Sequence, residues 1–144
     1  MIKLSRLTDY ALVILVDLSG KAELSSAQEI ATRTNIPVPT VSKVLKLLSK
    51  NDVIISVRGA SGGYKLSKTM KEISVASIIS AIEGPISLTS CTSDEGDDCN
   101  ISALCPLSKG WQYVNDTIND TLQSVSIQDL MSQSCDFLST KGAQ

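Results

Sequence analysis

Histidine is absent from this 144-residue chain. That removes the commonest general base and the commonest metal ligand, and it excludes zinc fingers built on mixed Cys/His sets. A cysteine nucleophile would also lack its usual partner. No nucleophile–base pair is visible, so the expectation is a protein that is not an enzyme. Aromatic residues are scarce, at 3%. The core that 42% apolar residues can build must therefore be aliphatic. No long uncharged apolar run exists, which excludes a transmembrane helix. The N-terminus, Met1-Ile-Lys-Leu-Ser-Arg6, leads into a stretch interrupted by Asp9 and Asp17 and does not make a secretory signal. The expected location is cytoplasmic, where thiols stay reduced. That weighs against reading the four cysteines as two disulfides.

What is present is unevenly distributed. The net charge is −2, yet residues 1–75 carry 11 Lys/Arg against 6 Asp/Glu, and residues 76–144 carry 2 against 9. A basic front half suits a polyanion such as double-stranded DNA, and an acidic back half does not. Any DNA contact is expected in the first half.

The apolar spacing there is helical. Leu4, Leu7, Ala11, Ile14, Leu15 and Leu18 recur at intervals of three and four, and Gly20 ends the pattern. Ser25 or Ser26 can cap a second helix through Ala31. A third begins near Pro39, whose missing N–H is harmless in a first turn. From Ala27 to Leu48 the chain resembles a helix-turn-helix. Ala31 is small enough for a close crossing, Asn35 tolerates the left-handed backbone of the turn, and Val41, Val44, Leu45 and Leu48 make a buried face. Lys43, Lys46 and Lys50 form a basic stripe away from that face. Such a helix can enter a major groove with Thr40, Ser42 and Lys43 near base edges. Taken alone, the stripe is equally a solvated lysine face.

The β-branched run Val53–Val57, the turn Arg58-Gly-Ala-Ser-Gly-Gly63 and the return strand Tyr64-Lys-Leu66 make a hairpin. After a helix-turn-helix, that hairpin is a wing. Glycines let its backbone approach a surface, and Arg58 can reach phosphate or a narrow minor groove. The Gly-rich turn lacks the Gly-Lys-Ser/Thr ending of a phosphate loop. The candidate DNA-binding set is Ser26, Thr40, Ser42, Lys43, Lys46, Arg58, Gly62 and Tyr64. The fold expected is mainly α with a small β-hairpin wing.

Beyond the wing, Ile73–Ile82 reads as a helix that Ser74 can cap. After Cys105-Pro106 a long helix follows, with Leu104, Leu107, Trp111, Val114, Ile118, Thr121 and Val125 on a coiled-coil-like seam. The seam suits a second copy of the same helix, hence a homodimer; the alternative is a core stripe packed on the chain's own front half. Ser126–Met131 reads as one short helical turn, and the end from Ser139 as frayed. The expected division is a winged helix-turn-helix over 1–72, a cysteine loop and dimerisation helix over 73–131, and a tail over 132–144.

Cys91, Cys99 and Cys105 fall within fifteen residues, in a polar loop with Asp94, Glu95, Asp97 and Asp98. Thiolates gathered on a loop can hold an iron–sulfur cluster, though three are one short of the usual complement. If Cys105 stands at the first turn of the long helix, the helix's positive end favours its thiolate. Zinc prefers Cys-x₂-Cys pairs, which are missing. The order of preference is an iron–sulfur cluster, then redox-active thiols, then zinc, then inert cysteines. Cys135 lies in an apolar-flanked segment that reads as packing. Asp9 alone reads as a helix-surface charge or a partner of the helix dipole.

Together, Leu4-Ser-Arg-Leu-Thr-Asp-Tyr-Ala11, the Arg58-Gly-x-x-Gly-Gly-Tyr64 wing and the three cysteines resemble the bacterial winged-helix iron–sulfur regulators of the IscR, NsrR and SufR type. The likeness runs over roughly residues 1–131. It implies a homodimeric, DNA-binding repressor whose cluster, [2Fe–2S] or [4Fe–4S], is held by Cys91, Cys99 and Cys105. The IscR branch completes the ligand set with a histidine, and Ser108 stands at that position here. The NsrR branch uses an aspartate of the first helix, donated across the dimer, and Asp9 matches it. Seven residues separate Cys91 from Cys99, where five is common in that family. Trp111-x-x-Val-Asn-x-x-Ile and Val125-Ser-Ile-x-Asp-Leu130 resemble the branch that regulates the SUF cluster-assembly operon, which implies assembly genes as targets. The alternative is a cluster-free winged-helix regulator that senses redox state through its thiols.

Overall fold

The computed structural model describes residues 3–92, 101 and 104–141, with side chains described as far as 134. Among these residues, six α-helices and one hairpin follow in order: α1 (Arg6–Ser19), α2 (Ala27–Thr34), α3 (Val38–Lys50), β1 (Ile54–Val57), β2 (Gly63–Leu66), α4 (Val75–Glu83), a short 3₁₀ turn (Ser90–Thr92), α5 (Ser108–Ser124) and α6 (Ile127–Lys141). The fold is the expected one, mainly helical with an antiparallel two-stranded wing.

The caps fall where the sequence offers them. Ser5 accepts the amide of Thr8 to start α1, and Gly20 follows its last residue. Ser26, rather than Ser25, caps α2. Pro39 lies in the first turn of α3, and Ser74 caps α4. Helix α1 is the hub. Its Ala11, Ile14, Leu15 and Leu18 are fully buried against α2, α3 and α4. Each large aliphatic side chain sealed this way contributes about 1.5–3 kcal/mol. Ile30, Ala31, Val41, Val44, Leu45, Leu48, Val53, Ile54, Ile73, Ile78, Ala81 and Ile127 complete an all-aliphatic core.

Among the described residues, polar joints help to hold the back half to this core. Glu83, the last residue of α4, accepts the Ser5 N–H at 2.8 Å and the hydroxyl of buried Thr8. Ser74 and Ser126 form an antiparallel bridge, with Val75 N–H donating to Val125 C=O at 2.8 Å and Ile127 N–H to Ile73 C=O at 3.0 Å. The bridge fixes the α5–α6 corner against the start of α4.

The end of the chain departs from expectation. In place of one short turn over 126–131, α6 is a 15-residue helix that continues through Ser139 to Lys141. Ser126 and Asp129 cap it reciprocally, and Ile127, Leu130 and Met131 lie at the spacing of one helical face. That face lines a groove with Leu12, Val13 and Val16 of α1. The polar stretch Ser132-Gln-Ser-Cys135 hides this periodicity in the sequence.

Hydrogen bonds from Thr8 first, then Ser5, hold the Glu83 carboxyl below its ordinary value of 4.5. A depressed carboxyl lends stability that is full above its unfolded value and is lost as pH falls through the lowered native value. Thr8→Val is therefore expected to cost about 1 kcal/mol near neutrality, a gap that narrows in acid. Urea titrations across that range check this; a gap independent of pH would exclude the Glu83 joint as its source.

Candidate nucleic-acid interface and cysteine site

The helix-turn-helix is built by α2 and α3. The Ser26 hydroxyl accepts the Glu29 amide, and the Glu29 carboxylate accepts the Ser26 N–H at 2.7 Å. Those bonds from Ser26, backbone first, hold the Glu29 carboxyl below its ordinary value. At the turn, Asn35 adopts φ 58°, ψ 28°, the left-handed conformation its sequence position required. Arg33 makes a two-pronged bond to Asp17 of α1, 2.7 Å at its closest, and reaches the Ser25 hydroxyl at 3.0 Å. This orients α2 on α1.

Helix α3 buries Val41, Val44, Leu45 and Leu48 completely and leaves Ser42, Lys43, Lys46 and Lys50 exposed, with Thr40 half-buried. The wing is stitched to the start of α2: Ser25 and Tyr64 exchange backbone hydrogen bonds of 3.0 and 2.8 Å. Two glycines make this stitch and its turn fit. A Cβ on Gly62 would sit 2.1 Å from the Val57 carbonyl oxygen, and one on Gly63 would sit 2.8 Å from that of Ser25. Gly62, expected at the DNA, thus has a steric task in the turn as well. Arg58 is exposed at the wing turn.

Among the candidate residues, Ser42, Lys46 and Tyr64 line one groove between α3 and the wing, together with Ser49, Lys50 and Ser56. Thr40 and Lys43 ride on the same helix. Ser26 lies at the cap of α2 and Arg58 at the wing turn, on separate elements. Ammonium groups on an otherwise hydroxyl-rich helix face can hold phosphates and leave short polar side chains for base edges. The Ser25–Tyr64 stitch carries no signal in the sequence beyond the Gly-Gly that permits it.

The cysteine site lies on other elements, the 3₁₀ turn and the approach to α5. Cys91 occupies the 3₁₀ turn Ser90–Thr92, which packs on α5. It is half-buried, and its Sγ lies 3.1 Å from the Thr89 hydroxyl. Cys105 is also half-buried, and neither of these two is in a disulfide. Its position corrects the expectation. Helix α5 begins at Ser108, so Cys105 stands outside the first helical turn. The Ser108 amide and hydroxyl both donate to the Cys105 carbonyl, at 3.4 and 3.2 Å. A residue before proline resists the helical conformation, and Pro106 delays the start. Leu107 caps α5 without a side-chain acceptor, so no side chain competes with an anionic group for the first amides.

Asp9 is exposed in the first turn of α1. Cys99 and the loop acids Asp94, Glu95, Asp97 and Asp98 lie outside the described residues. Among the described residues, no group of three or more Cys, Asp or Glu gathers as a metal-ion site. The donor chemistry nonetheless fits an iron–sulfur cluster in kind: two free, half-buried thiols bracket a loop with a third cysteine, and imidazole is absent. The seam of α5 is open. Leu104, Leu107, Trp111 and Val114 are exposed, Leu104 at 88%, and Asn115 is the helix's one buried residue. The first part of the seam is thus uncovered, while Ile118 and Val125 further along are half-buried and α5 packs on α4. In the sequence Asn115 stands between Val114 and Asp116, within Trp111-x-x-Val-Asn-x-x-Ile, and nothing there points to its burial.

Comparisons with known proteins agree with this architecture. A relative from Rhodobacter capsulatus, described as a putative HTH-type transcriptional regulator rrf2-like, is 33% identical over 131 residues, covering 85% of this chain and 87% of the relative. The HTH-type transcriptional regulator NsrR of Oceanobacillus iheyensis is 29% identical over 143 residues, covering 98% and 97%. Among solved structures, CymR (YrzC), the global cysteine regulator of B. subtilis, matches with a TM-score of 0.66 and 27% identity over 92% of this chain and 98% of that one. These relatives are regulators of transcription, not enzymes. A family model described as Rrf2, iron-dependent transcriptional regulator, matches residues 4–133; the chain belongs to the Rrf2 family of winged-helix transcriptional regulators.

Proposed function

We propose that this chain is an iron–sulfur cluster-sensing repressor, acting in the cytoplasm as a homodimer on the promoters of cluster-assembly genes. The observation that carries the reading is a cysteine-bracketed loop whose first thiol is packed on an open-seamed helix, in a family described as iron-dependent. Cys91, Cys99 and Cys105 would hold the cluster, and Asp9 of a second copy would complete the set. When bound, a cluster supplies a crosslink sensitive to iron supply and oxidants, set by sulfur ligation.

The chain's own residues turn that crosslink into a DNA response. Asp9 sits one residue from Thr8, whose bond to Glu83 fixes the N-terminus of α1. Helix α1 packs directly on α2 and α3. A pull on Asp9 is therefore felt behind the recognition helix. In the homodimer, the α5 seam and the α1–α6 groove are the apolar surfaces to be covered. Two copies of α3 then stand at a spacing set by α5, and a ligand that stabilises one dimer geometry shifts the population toward it. Thr40, Ser42, Lys43, Lys46, Arg58 and Tyr64 meet the duplex, with Ser26 and Gly62 at its edge.

A second reading has its own support. The likeness to CymR, described as a cysteine regulator, favours a cluster-free regulator whose thiols are themselves the sensor. Iron content separates the two.

Protein purified without oxygen from iron-replete cells should carry iron and acid-labile sulfide, and Asp9→Ala should retain markedly less of both. A colourless wild type without sulfide would leave the thiol reading. Lys46→Ala should weaken operator binding across sequences alike and lower the slope of log K against log salt by about 1; an unchanged slope would move the phosphate contact elsewhere. Val114→Glu should shift the sedimenting species from dimer to monomer, and a dimer that persists would remove the seam from the interface.

A further inference from the structure

Asn115 is an amide buried to 6% exposure near the middle of a helix whose other residues are half-buried or exposed. A buried amide is costly unless both ends find partners, and both do. Its Oδ1 accepts the Leu88 N–H at 3.1 Å, and its Nδ2 donates to the Ile86 carbonyl at 3.2 Å. The side chain thus grips the loop backbone on either side of Ser87.

From that grip a set of hydroxyls leads to the sulfur. The Ser87 hydroxyl donates to the Thr89 carbonyl at 2.9 Å and lies 3.0 Å from that of Thr92. The Thr92 hydroxyl donates to the same carbonyl at 2.9 Å and accepts the Thr89 amide at 3.2 Å. The Thr89 hydroxyl then lies 3.1 Å from Cys91 Sγ. A deprotonated or iron-bound sulfur only accepts, so in that state Thr89 is the donor. None of these residues belongs to the buried aliphatic core or to the α3–wing groove.

We propose that Asn115 and Thr89 are positioning residues for Cys91: Asn115 fastens the cysteine turn to α5, and Thr89 aims its sulfur. The geometry stands on the thiol alone; its consequence for iron rests on the cluster reading above. Under that reading, the same amide joins the cysteine turn to the helix that bears the dimer seam. Displacement of α5 then reaches Cys91, and a change at Cys91 reaches α5. Groups around a metal ligand commonly set its orientation in this way.

The test uses the full chain, metal-free and iron-loaded. In the metal-free protein, Asn115→Ala should speed amide hydrogen exchange at Leu88 and Thr92 by about 5–30-fold, as loss of one or two hydrogen bonds predicts. Exchange at Leu45 in α3 should not change. Equal exchange at Leu88, or faster exchange throughout the core, overturns the fastening role. Alkylation of Cys91 by iodoacetamide at one fixed pH, followed by peptide mass spectrometry, tests the aim. Thr89→Val should alter the rate at Cys91, while Thr89→Ser keeps the wild-type rate. A valine rate equal to that of wild type overturns it. Iron-loaded Asn115→Ala should lose iron to a chelator faster than wild type, and an equal rate removes the link to iron. A wild type that takes up no iron defeats the cluster reading alone, and the first two arms still decide the roles of Asn115 and Thr89.

Discussion

Helix α1 is sealed on one side by three helices, and the rest of the molecule is placed by that burial. Its stripe of Ala11, Ile14, Leu15 and Leu18 meets α2, α3 and α4. These aliphatic side chains leave no room for α1 to shift without moving its neighbours, because protein interiors are packed too densely to deform gradually. The polar additions sharpen the fit. Thr8 and Ser5 fix one end of α1 to Glu83, and Asp17 fixes the other to Arg33 of α2. A helix held at both ends and along one side is a rigid link between the DNA-reading half and the cysteine-bearing half.

The opposite side of α1 is a different surface. Val13 and Val16 are exposed and face α6 across an apolar groove. Helix α5, by contrast, packs on α4 and shows the first part of its seam, Leu107, Trp111 and Val114, to solvent. The asymmetry of charge follows the same division. Lysines gather on α3, while α5 carries Asp116 and Asp120. Under the proposed function, repulsion from phosphate would keep α5 away from a duplex bound at α3 and leave it for a second copy.

The front half was legible because local chemistry and packing agree there. Asn35 needed a left-handed turn and has one. The apolar face of α3 was readable residue by residue, since its period matched its burial. Other features depend on contacts between distant residues and leave little trace in the sequence. The bond from Thr8 to Glu83 spans 75 positions, and the Ser25–Tyr64 bridge joins a loop to a strand without a motif of its own. Helix α5 starts after Cys105-Pro106 as the sequence suggests, but at Ser108, so the condition that would put Cys105 in its first turn is not met. The length of α6 was hidden by polar residues on its outer face. Asn115 enters the sequence reading only within the motif Trp111-x-x-Val-Asn-x-x-Ile; the fold alone brings it to the carbonyl and amide it holds.

The central claim is that what Cys91, Cys99 and Cys105 hold decides how the recognition helices sit on DNA. The most direct measurement is the equilibrium affinity of iron-loaded and iron-stripped protein for one operator, at one salt concentration. The account predicts that the two forms differ, and that restoring iron and sulfide restores the loaded value. Equal affinity in both forms, across operators, would contradict it.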